Sequence, residues 1–131
     1  MKKNILVIAA HPDDEMLGCG GTLAKLSKKG FNIISLFLAD GETSREKATK
    51  KDVFLRKKAA INAAKVIGIN KTFFFNFKDN QLDKYPILKI VKTIEKKMKT
   101  YRPEIIFTHH FNDLNIDHQI ISKAVITASR P

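Results

Sequence analysis

Residues 4–10 (Asn-Ile-Leu-Val-Ile-Ala-Ala) and 32–39 (Asn-Ile-Ile-Ser-Leu-Phe-Leu-Ala) are nearly unbroken apolar runs. They lack the polar/apolar alternation of a strand with one wet face. Strands buried on both faces read this way, and they belong to parallel sheets. Residues 71–77 (Lys-Thr-Phe-Phe-Phe-Asn-Phe) and 104–108, which follow Pro103, predict a third and a fourth strand. Between these runs the apolar period becomes helical. A helix over 16–29 stops before Gly30, and one over 46–67 stops at Gly68 with Ala59, Ala60, Ala63, Val66 and Ile67 on its apolar face. Residues 86–100 carry Ile87, Ile90, Val91, Ile94 and Met98 at helical spacing, and 117–128 form the last helix. Strands and helices that alternate in this way predict an α/β fold, a Rossmann-like three-layer sandwich with a mainly parallel sheet. The whole of 1–131 reads as one domain.

Composition narrows the picture. The chain has 131 residues, 44% of them apolar, and a single Cys. One cysteine excludes a disulfide framework and a Cys-rich zinc finger. No apolar run approaches the roughly 18 residues that span a bilayer, so no transmembrane segment is expected. Met1-Lys2-Lys3 and six apolar residues resemble the start of a signal peptide, but His11-Pro12-Asp13-Asp14-Glu15 follows at once. A charged cluster there fits a strand end and not a cleavage site, so a cytoplasmic protein is expected. The net charge of +11 invites a nucleic-acid reading. The lysines, however, fall mainly opposite the apolar stripes of their helices. No recognisable nucleic-acid motif is present, and no nucleic-acid partner is expected. An inactive metal-binding or nucleic-acid-binding fragment is the alternative.

In an open parallel sheet, ligands bind beyond the C-terminal ends of the strands. All four histidines fall there: His11 after the first strand, and His109, His110 and His118 after the fourth. Asp40, Gly41, Glu42, Asp79, Asn80 and Asp83 join them from the other loops. His11 and Asp14 lie three apart on a turn into a helix, a spacing that brings an imidazole and a carboxylate to one ion. His118 is a candidate third ligand. A His/Asp/His set suits Zn²⁺, with Fe²⁺ as the chemical competitor. Asp13 is adjacent and free to act as a general base. The simpler alternative is that Asp13 or Asp14 merely caps the helix. Glycines 18, 20 and 21 come too late in that helix for a dinucleotide loop.

Ala10-His11-Pro12-Asp13-Asp14-Glu15, followed by Leu17-Gly18-Cys19-Gly20-Gly21-Thr22-Leu23, resembles the signature of the LmbE/PIG-L family of zinc-dependent N-deacetylases. Asp117-His118 is similar to the family's second element, and Arg56, Ala63, Ala64 and Gly68 to its middle helix. The resemblance runs from about residue 4 to the end. It implies His11, Asp14 and His118 as zinc ligands and Asp13 as general base. It also implies that Arg56 and Asp79 face the sugar of an N-acetylglucosamine-type substrate, and that acetate and an amino sugar are released. Cys19 matches a small buried position and is not expected to be a ligand. Many members carry a histidine where this chain has Asn115, an amide that can donate to an oxyanion but cannot serve as a proton donor. His109 or His110, the latter preferred, is then the expected catalytic imidazole, with Asp117 steadying an imidazole from behind. Family members usually exceed 200 residues. A C-terminal remainder that shapes the substrate pocket is therefore expected to be missing, which would expose apolar surface and favour a homo-oligomer.

Overall fold

Side-chain alternation along the first apolar run splits the core into two layers. The computed structural model describes residues 3–131; Met1 and Lys2, at the head of the signal-like start, lie outside the described residues. The order is β1 (Asn4–Ala9), α1 (Asp14–Lys28), β2 (Asn32–Ala39), α2 (Lys50–Ile67), β3 (Lys71–Phe77), a 3₁₀ turn (Leu82–Lys84), α3 (Ile87–Tyr101), β4 (Ile105–Phe107) and α4 (Ile116–Ala128). The strands are all parallel, in the order β3-β2-β1-β4. Leu6, Ile8, Ile34, Leu36 and Leu38 pack with Ile90, Val91 and Ile94 of α3 and Ile121, Ala124 and Val125 of α4. Ile5, Val7 and Ile33 face the other way, onto Leu23 of α1 and Ala64 of α2. This is the expected three-layer sandwich, and its central strands are buried on both faces as their sequence requires.

The boundaries differ from the sequence reading where capping intervenes. Thr49 and Asp52 form a reciprocal capping box, so α2 begins at Lys50 and residues 46–49 stay outside the helix. α1 begins two residues earlier than its periodicity suggested and kinks at Cys19 (φ −147°, ψ 17°), among glycines that support a helix poorly. Cys19 is half-buried and packs against the α1–α2 core layer, and burial pushes its thiol pKa up.

Gly68 ends α2 at φ +83°, and a Cβ there would lie 2.1 Å from the Ser27 Oγ that donates to the Gly68 carbonyl. Gly68→Ala combines a left-handed backbone with a clash. It is expected to lower unfolding stability by about 2–4 kcal/mol in urea titrations; a loss below about 0.5 kcal/mol would show that Ser27 simply rotates away.

The layout fixes where ligands can gather. The chain runs β1 to β2 to β3 across one direction of the sheet, then returns through α3 to place β4 on the far side of β1. The C-terminal end of β1 is therefore the switch point, with the loops after β1 and β4 side by side.

Candidate metal centre and active site

β1 ends at Ala9, and the chain turns through His11-Pro12-Asp13 into α1. Asp14 Oδ2 accepts the His11 backbone N–H at 2.8 Å, which closes the turn and aims its carboxylate back over the sheet. α4 starts beside it. Asn115 caps this helix, its Oδ1 accepting the N–H groups of Asp117 (2.9 Å) and His118 (3.4 Å). The cap turns both side chains inward on the first turn of α4.

Three atoms then converge. His11 Nδ1 lies 3.4 Å from Asp14 Oδ2, and His118 Nε2 lies 3.3 Å from each of them. A tetrahedral cation with bonds of about 2.0–2.1 Å has ligand–ligand edges of about 3.3–3.4 Å. The N, O, N donor set and its nearly equilateral triangle therefore fit a zinc-like ion, with a fourth position left for solvent.

The outward-facing nitrogen of His11 is held as such a site requires. His11 Nε2 lies 2.9 Å from Asp117 Oδ2 and 3.0 Å from Asp79 Oδ1, so with a cation bound the ring proton would stay on Nε2 and the Nδ1 lone pair would face the triangle. Asp117 is fully buried and also accepts the N–H groups of Asn80 (2.7 Å) and Leu82 (3.0 Å). Asp113 Oδ2 lies 3.1 Å from His118 Nδ1, off hydrogen-bond alignment, which leaves that buried nitrogen without a partner. Burial opposes a charge on His11, yet hydrogen bonds to Asp117 and Asp14 and the charges of Asp14 and Asp79 outweigh it and raise its pKa to about 10. Burial likewise opposes ionisation of Asp14, but hydrogen bonds from His11 and the neighbouring imidazoles hold its carboxyl below the usual range. The triangle is a place that attracts positive charge, and a cation would displace a proton there.

Asp117→Ala strands the amides of Asn80 and Leu82 and frees the His11 ring. The metal-free protein is expected to lose about 2–4 kcal/mol of stability in urea, and metal affinity to fall about 10–100-fold by competitive titration. Unchanged affinity would mean that Asp117 does not set the His11 ring.

Asp13 stands at φ 156°, its N–H donated to Glu15 Oε2 at 3.2 Å and to the His11 carbonyl at 3.0 Å. Its half-exposed carboxylate meets Arg56 Nη1 at 2.9 Å. Arg56 also donates to Glu42 and to the Pro12 carbonyl. Gly41 (φ +74°) makes room for this contact, since a Cβ there would stand 3.1 Å from Arg56 Cδ and 3.3 Å from His11 Cβ. Glu15 is buried, which pushes its pKa up to about 7.

Four expected site residues are placed differently from the roles read in the sequence. Asp79 does not present a free carboxylate to a sugar: it is buried against His11 and accepts from Ser44. Asn115 is occupied by the α4 cap and by donation to Asn80 Oδ1 at 3.1 Å, because a helix start needs acceptors more than a rim needs another donor. His110 is exposed and only accepts the Asn112 N–H at 3.2 Å. The imidazole beside the triangle is His109, stacked on His118 with ring centroids 3.8 Å apart. His109 Nε2 accepts the Ala10 N–H at 2.9 Å, which withholds that lone pair from a metal, and burial together with His118 pushes its pKa down to about 4. Arg56, expected to face the sugar, spends its Nε and Nη1 donors on Glu42, Asp13 and the Pro12 carbonyl. The sequence reading missed Asp113, Glu42 in its pairing with Arg56, and the αL turn at Asn80 (φ 51°). Glu42 and Asp113 each carried a signal, as carboxylates on the rim loops after β2 and β4.

Comparisons with known proteins follow the same geometry. A profile of the PIG-L family, described as GlcNAc-PI de-N-acetylase, matches residues 6–129. The chain is 32% identical over 134 residues to the uncharacterized deacetylase YaiS of Escherichia coli, covering 98% of this chain and 69% of that protein. It is 30% identical to a probable N-acetyl-alpha-D-glucosaminyl L-malate deacetylase 2 of Bacillus subtilis, covering 98% of this chain and 61% of that one. Among solved structures, the N,N'-diacetylchitobiose deacetylase of Pyrococcus horikoshii superposes with a TM-score of 0.85 at 27% identity, over 96% of this chain and 49% of that one. The chain thus spans between half and about two thirds of the length of these relatives.

Proposed function

The chain belongs to the PIG-L family, and from that premise we propose that it carries the metal-site portion of a divalent-cation-dependent N-deacetylase acting on N-acetylglucosamine-type conjugates. The observation that carries this reading is the His11–Asp14–His118 triangle with Asp13 beside it. Among the described residues no helix is long and apolar enough to cross a membrane.

His11, Asp14 and His118 would hold the cation. When bound, Zn²⁺ or a similar ion supplies an acidified water and a Lewis acid for the acetamide carbonyl. The remaining steps belong to side chains. Asp13 accepts the proton of the attacking water as the C–O bond forms. Collapse breaks the C–N bond, and Asp13 returns the proton to the departing nitrogen, giving acetate and a free amine. Arg56 orients Asp13 through their ion pair, and Glu15 pins its backbone. Asp117 and Asp79 hold His11 in one tautomer. His109 stays uncharged at neutral pH and flanks the triangle, its ring stacked on His118 and its Nε2 3.5 Å from Asp14 Oδ2. No covalent intermediate is needed.

The lysines that prompted the nucleic-acid alternative are surface residues. Lys25, Lys28, Lys29, Lys50, Lys51, Lys92, Lys96 and Lys99 are all exposed on helix backs, and Lys97 lies over the Phe73 ring at 3.4 Å from its centroid. The test is metal-loaded protein incubated with N-acetylglucosaminides. Acetate and a primary amine released in equal amounts are expected. Stoichiometric metal without acetate from any of them would contradict the reading.

A further inference from the structure

The geometry points to a subsite for an apolar aglycone in the cleft between α1 and α2, so that the substrate class is an N-acetylated amino sugar bearing an alkyl or aryl group. This rests on the deacetylase reading and deepens it. The cleft has a volume of about 790 Å³ and begins at Asp13 and Arg56, the pair placed at the reacting end of the site. Its floor is Ala59, Ala60 and Ala63, which α2 turns to one side and which leave space above them. Its walls are Met16, Leu17 and Leu55. Leu17 and Leu55 are 85% and 49% exposed, and neither is needed by the core. Large apolar side chains lining a concave surface that opens from a polar site mark ligand contact.

The carboxylates along the cleft are already engaged. Glu42 pairs with Arg45 and Arg56, Asp13 pairs with Arg56, Asp52 is held in the Thr49 cap and Glu15 accepts the Asp13 N–H. Apart from Lys47, the rest of the lining is apolar. A sugar seated by Asp13 would direct its aglycone away from the triangle and along this floor.

The test uses the metal-loaded full chain and a series from methyl to octyl β-N-acetylglucosaminide, with binding read by calorimetry and turnover by acetate release. Kd is expected to fall about twofold per added methylene, the share expected for a half-buried chain. Leu55→Asp and Leu17→Asp, both at exposed positions, are expected to flatten the series while leaving methyl glycoside turnover unchanged. Equal Kd values along the series, with every member deacetylated, would overturn the cleft proposal and leave the deacetylase standing. Chain-length-dependent binding without any acetate would support the cleft and overturn the deacetylase. If Leu55→Asp changes the sedimentation of the protein and not the Kd series, the cleft is a contact between copies and the proposal fails.

Discussion

Replacing His118 with alanine is expected to strip the protein of its metal and of its activity together. His118 Nε2 supplies one corner of a triangle whose edges are 3.3–3.4 Å, and no other described nitrogen can take its place. His109 is nearest, but its Nε2 already accepts the Ala10 N–H. Losing a direct ligand should weaken binding by more than the 10–100-fold that follows loss of an indirect partner. The lost Lewis-acid contribution, about 4 kcal/mol, corresponds to about 10³-fold in rate. Metal analysis after dialysis and acetate release measure the two effects, and circular dichroism confirms that the fold survives. Stoichiometric metal in His118→Ala would remove this residue from the site.

Asp13→Asn separates the metal from the proton transfer. The amide keeps the size of the carboxylate and one acceptor for Arg56, so the turn should hold and metal should stay bound. What it loses is a base. We expect kcat to fall about 10²–10⁴-fold with metal content unchanged. Acetate release at the wild-type rate would assign the base elsewhere, with Glu15, whose carboxylate accepts the Asp13 N–H, the next candidate. The contrast with His118→Ala, which should lose both readouts, distinguishes a base from a ligand.

The residues that were legible in the sequence are those whose geometry is local. His11 and Asp14 lie within one turn, and their relation follows from a strand ending where a helix begins. The sheet was legible because β1 and β2 are buried on both faces and carry almost no polar residue. His118 was legible because α4 starts next to β1 in any sheet that switches direction there.

Roles that depend on a single φ angle or on a cap were not legible. Asp79 reads as a rim carboxylate, but the αL turn at Asn80 folds the loop back and buries it against His11. His109 and His110 are adjacent and chemically identical. Their order is decided by the short β4, whose pairing ends at Phe107 opposite Val7 and leaves His109 to receive the Ala10 N–H. Asn115 reads as a donor to substrate until the orphan N–H groups of α4 are counted. The start of α2 was written in the sequence as Thr49-x-x-Asp52, but the helical period ran through it.

The central claim is that His11, Asp14 and His118 bind one cation. The most direct measurement is anomalous diffraction at the zinc edge from crystals of the zinc-loaded protein. One dominant peak is expected at about 2.0–2.2 Å from His11 Nδ1, Asp14 Oδ2 and His118 Nε2. A peak shared by His109 and Asp113, or one bound through Asp79 and Asp117 on the other side of the His11 ring, would contradict it.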